Sequence, residues 1–305
     1  MNKNVRKRTL SRQLFYLAVI LLPLIQFAIF YIYVNFNSFA MAFQLYEPNV
    51  DTLGYTVSFA GWENFEKAIE ILTENAYMIT NSLTMYAFGL LFGTTFSIIF
   101  SYYIYKKYVF SGVFRVMLFL PQIISGLIFA VLFKFIVTDV YEQLGVVLTG
   151  EKFVGLLDGQ DTRFGTVIFF NLWISFGVSV LMYSNSMSAI DPSLVESAQL
   201  DGANTLQEFV WITLPSIYPT LVSFLVIGIT GIFTNQNGLF DMFGTNANTA
   251  ATLGYYLFMV VESADLDTVP SFSQISALSL VLTFIMVPIT LVARNVLNRV
   301  GPSVD

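Results

Sequence analysis

The chain has 305 residues, of which 56% are hydrophobic and 11% are charged, whereas an ordinary soluble domain carries about 25% charged residues. The surplus apolar surface has to face lipid, which indicates a multi-pass helical membrane protein. The chain contains no Cys and no His, which excludes disulfides, thiolate or imidazole metal sites, Cys nucleophiles and His-based triads. The net charge of −6 argues against nucleic acid as a partner, and we expect neither a metal nor a cofactor.

Six windows without charged residues are long enough to cross about 30 Å of hydrocarbon as helices. In chain order they are residues 14–36, 82–105, 116–133, 164–187, 217–234 and 272–293. The first follows a basic run, but Pro23 and Gln26 interrupt it and no small-residue cleavage site follows, so we interpret it as a retained span and not a signal peptide. A further charge-free stretch, 242–261, is rich in Asn, Thr and Gly, and we expect it to lie outside the bilayer.

The basic residues indicate the orientation, because short cytoplasmic flanks retain positive charge. Ten of the 14 Lys and Arg residues precede the first window, separate the second from the third, or follow the last. Both termini are therefore predicted to be cytoplasmic. The predicted layout is a basic terminus over 1–13, a span over 14–36, an extracellular loop over 37–81, a core of five spans over 82–293 and a cytoplasmic tail over 294–305.

The cytoplasmic loop over 188–216 departs from this pattern, because it contains four acids and neither Lys nor Arg. The acids are Asp191, Glu196, Asp201 and Glu208. Asp191 before Pro192 predicts the start of a helix, and Gly202 predicts its end. Thr205 and Glu208 match a capping box at the start of a second helix. An acidic helix of this kind suits a groove that contains Arg or Lys, although four carboxylates can also simply solvate a loop.

The same loop resembles the EAA loop of binding-protein-dependent ABC importer permeases. The matching residues are Glu196-Ser197-Ala198-x-x-Asp201-Gly202-Ala203 and Phe209-x-x-Ile212-x-Leu214-Pro215. Ser197 stands where many members have Ala, which replaces one small residue by another. In that family the loop is a coupling helix that docks into a cleft of a cytoplasmic ATPase subunit. The resemblance therefore implies a role in ATPase coupling for the matched residues.

Other segments are similar to carbohydrate-uptake permeases of this family. They are Gly61-Trp62-Glu63-Asn64-Phe65, Asn81-Ser82-Leu83, Leu120-Pro121, Trp173 and Gly177. The resemblance covers residues 14–299 and implies a type I ABC importer permease fold with six transmembrane helices in a bacterial plasma membrane. It implies that the chain forms half of the path for a sugar or oligosaccharide. The implied partners are a second permease, two cytoplasmic ATPase subunits and an extracellular solute-binding protein.

ATP hydrolysis is expected on another subunit. No Gly directly precedes a Lys in the sequence, so the Gly-x-x-x-x-Gly-Lys phosphate-binding loop is absent. We therefore do not expect this chain to be an enzyme.

Uncharged polar residues within the windows are the candidates for a solute path, because polar groups facing lipid are unfavourable. The candidates are Asn171, Trp173 and Ser175 in the fourth window and Gly228, Gly231, Thr234, Asn235 and Asn237 at the outer half of the fifth. By the resemblance, Asn235 matches a position that contacts sugar in maltose-type permeases. Amides, hydroxyls and aromatic rings suit sugars, but the same residues also commonly mediate helix packing.

Two other classes stay open at this point. A self-contained channel or secondary transporter for a small polar solute usually carries ionisable residues within its spans, and a membrane-embedded enzyme needs a catalytic carboxylate or nucleophile there. The six windows contain no Asp, Glu, Lys or Arg, which weighs against both classes and mildly against an anionic solute. Polyols, glycerol phosphates and other small polar solutes remain alternatives to a sugar.

Overall fold

The computed structural model describes residues 3–49, 54–262 and 269–302 of the protein, and helices dominate these ranges. The predicted cytoplasmic ends include residues 1–2 and 303–305, which lie outside the described residues. Four of the described helices are long and apolar enough to cross a membrane. They are Arg12–Met41, Ala76–Tyr105, Gln160–Ser188 and Phe272–Val300.

Two pairs of consecutive helices, with a bend between the two members of each pair, raise the number of candidate spans to six if each pair crosses the membrane once. The helices Ser111–Ile123 and Gly126–Thr149 form one pair, and Thr205–Ser216 and Tyr218–Gly231 form the other. The chain is divided into two compact units, the described parts of Met1–Ile71 with Ala264–Val281 and of Leu72–Ser263 with Leu282–Asp305.

The first unit begins with a helix whose apolar side chains are exposed. It consists of Lys3–Phe27, a π-helical turn over Ala28–Tyr33 and Val34–Met41. Leu22 and Phe30 are 71% and 70% exposed, a degree of apolar exposure that suits lipid and not water.

A β-hairpin follows this helix and interrupts the predicted all-α architecture. Strand Gln44–Asn49 pairs antiparallel with Gly54–Phe59, so that Gln44 lies opposite Phe59. The hairpin falls within residues 37–81, for which the sequence predicts an extracellular loop. The all-α prediction was therefore wrong here, although the alternation of Tyr55, Val57 and Phe59 with small polar residues is typical of a strand.

The 61–65 motif fastens the hairpin to the following helix, Glu63–Glu74. The Asn64 side chain is fully buried, and its Nδ2 donates to the carbonyl oxygens of Ala42 (3.0 Å) and Gln44 (2.9 Å). The rings of Trp62 and Phe65 lie 5.2 Å apart and both contact Phe43. The motif therefore sets the path of the chain out of the first helix.

The second unit is built around the helix Gln160–Ser188, called here the 160–188 helix. It packs against Ala76–Tyr105, the 76–105 helix, where the Ser101 hydroxyl donates to the Val180 carbonyl (2.9 Å). It also packs closely against Ser111–Ile123, because Gly177 has no side chain to separate it from the Leu118 backbone. A buried cluster at the end near the 188–216 loop contains Ile98, Tyr102, Tyr183, Met187 and Ile217.

The third predicted window is not one helix. Ile124 and Ser125 have extended backbone, and the helices before and after them differ in direction by 101°. A continuous helix over 116–133 is therefore excluded. The second arm runs through Gly126–Phe135, a π-helical turn over Ile136–Val140 and Tyr141–Thr149.

The fifth window ends earlier than predicted, because the helix Tyr218–Gly231 stops three residues before Thr234. Residues 242–261 contain only short pieces among the described elements, so no helix there can cross a bilayer. The pieces around this stretch are Leu239–Phe243, a 3-10 turn over Asn248–Ala250 and Leu253–Glu262. The final helix is Val269–Val300.

Candidate solute cavity and partner-binding loop

A cavity of about 370 Å³ lies within the second unit, inside the usual size range of small-molecule sites. The 76–105 and 160–188 helices, the helix Tyr218–Gly231 and the segment after it form its walls. Among the described residues that line it, none is an Asp, Glu, Lys or Arg. Its polar groups are the hydroxyls of Ser82, Tyr86, Thr94, Ser175, Ser179 and Tyr183 and the amides of Asn171, Asn235 and Asn237.

The 160–188 helix brings Asn171 and Ser175 to the cavity, because residues four apart share one helix face. The Ser175 hydroxyl donates to the Asn171 carbonyl (2.7 Å), and the Asn171 Nδ2 donates to the Asn237 carbonyl (2.9 Å). Trp173, the third candidate on this helix, is absent from the described lining and packs instead against Phe129, with 5.2 Å between ring centroids.

Gly228 and Gly231 line the cavity where the 76–105 helix approaches closely. A Cβ at Gly228 would lie 2.9 Å from Cε2 of Tyr86, so a larger residue would displace this ring. Sequence reasoning had not singled out Tyr86, because an isolated Tyr in an apolar window is not distinguishable from an interfacial aromatic residue. A π-helical turn over Gly89–Thr94 forms the adjacent wall, and such turns occur frequently at functional sites.

Asn235 and Asn237 lie in a turn after the helix and not on the helix itself. Asn237 has a positive φ of 56°, and its backbone N–H donates to Oδ1 of Asn235 (2.9 Å). Both residues line the cavity, whereas Thr234 is absent from its described lining. The structure thus brings six of the eight candidates to one cavity and leaves out Trp173 and Thr234.

Asn81 and Ser82 hold residues 249–253, which lie beside this turn. The Asn81 Nδ2 donates to the carbonyls of Thr249 (2.8 Å) and Ala251 (2.9 Å), and the Ser82 hydroxyl accepts from the Leu253 N–H (3.1 Å). Gly254, the next residue, touches the Asn235 backbone. The Asn81-Ser82 pair of the sequence motif therefore positions the segment against which the Asn235 turn rests.

The first helix of the 188–216 loop forms as predicted over Pro192–Leu200. The Asp191 carboxylate accepts a hydrogen bond from the Ser193 N–H (2.9 Å), which holds the pKa of this carboxyl below its usual range. Gly202 has a φ of +86°, as its predicted role in the turn requires.

The predicted capping box is wrong by one residue. Asn204, not Thr205, is the N-cap of the second helix, and it exchanges hydrogen bonds of 2.9 Å with Gln207. Both pairs fit the general pattern, because each places a capping residue three positions before a Glu or Gln. Glu208 is not free to cap the helix because its carboxylate has distant partners.

Glu208 is the one acid of this loop that the structure buries, with 2% of the residue exposed. Its oxygens lie 2.7 and 2.8 Å from Nζ of Lys106, and it also accepts from Gln199 (3.1 Å) and Tyr102 (3.2 Å). Burial alone would raise the pKa of this carboxyl, but these donors and the Lys106 charge outweigh it and lower the pKa. The charge of Glu208 is therefore compensated inside the chain.

The surface of the loop is less acidic than the sequence suggested and more apolar. Glu196, Ser197, Asp201 and Gly202 are exposed, whereas Ala198 and Ala203 are half-buried. Leu200, Leu206 and Trp211 are 88%, 69% and 76% exposed. Phe209 and Leu214 instead pack against the buried cluster of the second unit, and Pro215 is half-buried beside them.

Long apolar helices, an uncharged polar cavity and an exposed apolar loop together define a membrane transport subunit. The chain belongs to the family of binding-protein-dependent transport system inner membrane components, whose family model matches residues 87–305. It is accordingly a permease component with several membrane-spanning helices and not a catalytic subunit.

Two curated relatives from Bacillus subtilis (strain 168) are similar over most of the chain. The polygalacturonan/rhamnogalacturonan transport system permease protein YteP is 28% identical over 241 residues, which cover 74% of this chain and 72% of YteP. The arabinooligosaccharides transport system permease protein AraP is 25% identical over 240 residues, which cover 77% of this chain and 74% of AraP.

A chain in the crystal structure of a bacterial ABC transporter involved in the import of the acidic polysaccharide alginate has the same fold. The TM-score is 0.76 at 24% identity, with 98% of this chain and 100% of that chain covered. This likeness confirms a mostly helical ABC importer permease fold. The number of six spans and the cytoplasmic termini stay predictions.

Proposed function

We propose that this chain is one of two permeases in an ATP-driven importer and forms half of the path for a neutral sugar or oligosaccharide. The observation that carries the proposal is the cavity of about 370 Å³, whose described lining offers amides, hydroxyls and Tyr rings but no charged side chain. Sugar hydroxyls need both donors and acceptors, which Asn and Ser side chains supply, and the CH faces of a sugar stack on aromatic rings.

The relatives support an oligosaccharide as the solute, since the names of YteP and AraP both describe transport of sugar polymers or oligomers. The absence of charged side chains from the described lining narrows the class of oligosaccharide. On this chain's half of the path, no Lys or Arg of the described lining would compensate the carboxylates of an acidic sugar. We therefore favour a neutral oligosaccharide over an acidic one, delivered by an extracellular binding protein.

The 188–216 loop is proposed to bind a cytoplasmic ATPase subunit. Leu200, Leu206 and Trp211 offer an apolar surface, and Glu196 and Asp201 add two exposed carboxylates. An interface of this kind suits a cleft with an apolar centre and a basic rim, where apolar contacts supply affinity and charges set orientation. The absence of a phosphate-binding loop from the full sequence supports ATP hydrolysis on that partner.

The proposed mechanism is alternating access in a bacterial plasma membrane. The assembly consists of this chain, a second permease and two ATPase subunits, with six spans and both termini cytoplasmic in this chain. ATP binding brings the ATPase subunits together and moves the 188–216 loops, which open the cavity to the outside, where the binding protein delivers the sugar. Hydrolysis returns the cavity to the cytoplasmic side.

Replacing Asn235 tests the cavity assignment. Asn235→Leu removes hydrogen bonds to the sugar, each worth about 1 kcal/mol, so the half-saturation concentration for uptake should rise about fivefold to tenfold. Thr234→Val is the matched control, because Thr234 is the adjacent residue and is absent from the described lining. Uptake should be measured in proteoliposomes of the full complex with neutral and acidic oligosaccharides. Equal effects of both variants, or uptake of acidic sugars alone, would refute the assignment.

A further inference from the structure

Half-buried Lys106 and buried Glu208 form an ion pair that joins two distant parts of the chain. The side chains of Lys106 and Glu208 are 19% and 3% exposed, and the shorter of their two contacts is 2.7 Å. Lys106 is the C-terminal cap of the 76–105 helix, whereas Glu208 lies in the second helix of the 188–216 loop. The two residues are 102 positions apart in the sequence. The pair therefore connects the loop to a helix that is not its neighbour in the chain.

The acid also connects the two helices of the loop to each other. Gln199, in the helix Pro192–Leu200, donates to the carboxylate of Glu208 across the Gly202 turn (3.1 Å). The Tyr102 hydroxyl donates to the same carboxylate (3.2 Å), and the Tyr102 ring lies 4.8 Å from that of Phe209. The Glu208 carboxylate therefore connects both helices of the loop to the end of the 76–105 helix through hydrogen bonds from Gln199, Tyr102 and Lys106.

The helix fastened in this way is also a wall of the cavity. Ser82, Tyr86, Gly89 and Thr94 of the 76–105 helix line the cavity. Lys106 lies twelve positions after Thr94, which corresponds to about 18 Å of helix at 1.5 Å per residue. A continuous helix of this length moves as a rigid element, so a displacement at Lys106 reaches the cavity wall.

We propose that the Lys106–Glu208 pair is the joint through which movement of the 188–216 loop displaces the 76–105 helix and changes the cavity. The inference rests on the proposed function, which supplies the ATPase that moves the loop. The chain itself connects the loop to the helices Gln160–Ser188 and Tyr218–Gly231, whereas its connection to the 76–105 helix is through side chains. Lys106 and Glu208 are thus positioning residues that act on the cavity through a helix.

The test replaces the ion pair by a reversible covalent link, which is feasible because the sequence contains no Cys. The variant Lys106→Cys/Glu208→Cys is assembled with the second permease and cysteine-free ATPase subunits in proteoliposomes. Sugar-stimulated ATP hydrolysis and uptake are then measured before and after a bis-methanethiosulfonate cross-linker, and again after a reductant. We expect both activities to fall about tenfold without the link, to return with it, and to fall again on reduction.

The controls separate a joint from a merely structural contact. Each single Cys variant receives the cross-linker and should stay impaired. Lys107→Asn removes an exposed neighbouring charge, and Asn tolerates the positive φ of 52° at this position, so stimulation should be unchanged.

The outcomes distinguish failure of the proposed joint from failure of the proposed function. If sugar stimulates ATP hydrolysis to the wild-type level in the double variant without cross-linker, the proposed joint is refuted. It is also refuted if the cross-link forms but does not restore this stimulation. If the double variant does not assemble, the cross-linker is applied in membranes before solubilisation. Restored assembly with uptake then supports the joint, and restored assembly without uptake overturns it. Failure of the wild-type chain to bind any ATPase subunit would instead refute the proposed function.

Discussion

The Gly202 turn offers the sharpest perturbation of the 188–216 loop. Gly202 has a φ of +86°, and no atom lies within 4 Å of a Cβ built on it. A substitution there therefore changes the backbone preference without a steric clash. A left-handed conformation costs an L-residue about 1–2 kcal/mol, and a β-branched residue lies at the upper end of this range.

This strain predicts a defined loss of ATPase binding. With Gly202→Val, about 1.4–2 kcal/mol of strain should weaken association with the ATPase subunit about tenfold to thirtyfold, because the docked loop requires this turn. Gly202→Asn should lose less affinity for the ATPase subunit, since Asn adopts positive φ more readily than Val. The assay is titration of the purified ATPase subunit against the permease in nanodiscs, followed by uptake in proteoliposomes.

Gly150 supplies the matched control. It has a φ of +81°, also with no atom within 4 Å of an added Cβ, and it ends the helix Tyr141–Thr149, which lies outside the 188–216 loop. Gly150→Val should therefore lower thermal stability by a similar amount and leave ATPase association unchanged. Unchanged association and uptake in Gly202→Val, or equal losses in both variants, would refute the docking role of the turn.

Three further changes test the packing around the cavity and the loop. Gly177→Leu pushes a side chain against the Leu118 backbone and should lower stability by about 1–3 kcal/mol in a thermal melt, whereas Gly165→Leu on the same helix meets open space and should not. Asn81→Ala removes the donors to Thr249 and Ala251 and should raise the half-saturation concentration for uptake severalfold, with unchanged ATPase association. Because the pKa of Glu208 is lowered, its stabilising contribution is present above the unfolded pKa of about 4.3 and is lost only as the pH falls through the lower folded value. The difference in melting temperature between wild type and Glu208→Gln should thus be constant from pH 8 to about pH 5 and shrink below about pH 4; a difference that already shrinks at pH 6 would contradict the lowered pKa.

Local chemistry made part of the loop predictable from sequence. Asp191, Pro192 and Gly202 each act on backbone within a few residues, so the helix Pro192–Leu200 and its turn were correctly predicted. The capping box was not, because Asn204 and Thr205 are both capping residues and the choice depends on Glu208. The partner of Glu208, Lys106, is 102 residues away, and no local pattern reveals that contact.

The cavity was predictable only as a set of residue types. Uncharged polar residues and glycines in the fourth and fifth windows included Asn171, Ser175 and Gly228, but residue type does not indicate which helix face looks inward, so the candidates also included Trp173, which is absent from the described lining. The bend of 101° after Ile123 was missed for a related reason. Hydropathy reports that a segment is apolar, and it says nothing about whether two apolar helices share an axis.

The most direct measurement of the central claim compares energy sources for transport. Proteoliposomes containing this chain, a second permease and the ATPase subunits are loaded with ATP, and uptake of a labelled neutral oligosaccharide is measured with and without the binding protein. We predict uptake only when ATP and the binding protein are both present, and none by this chain alone under an ion gradient. Gradient-driven uptake by the chain alone would contradict the proposed ATP-driven import.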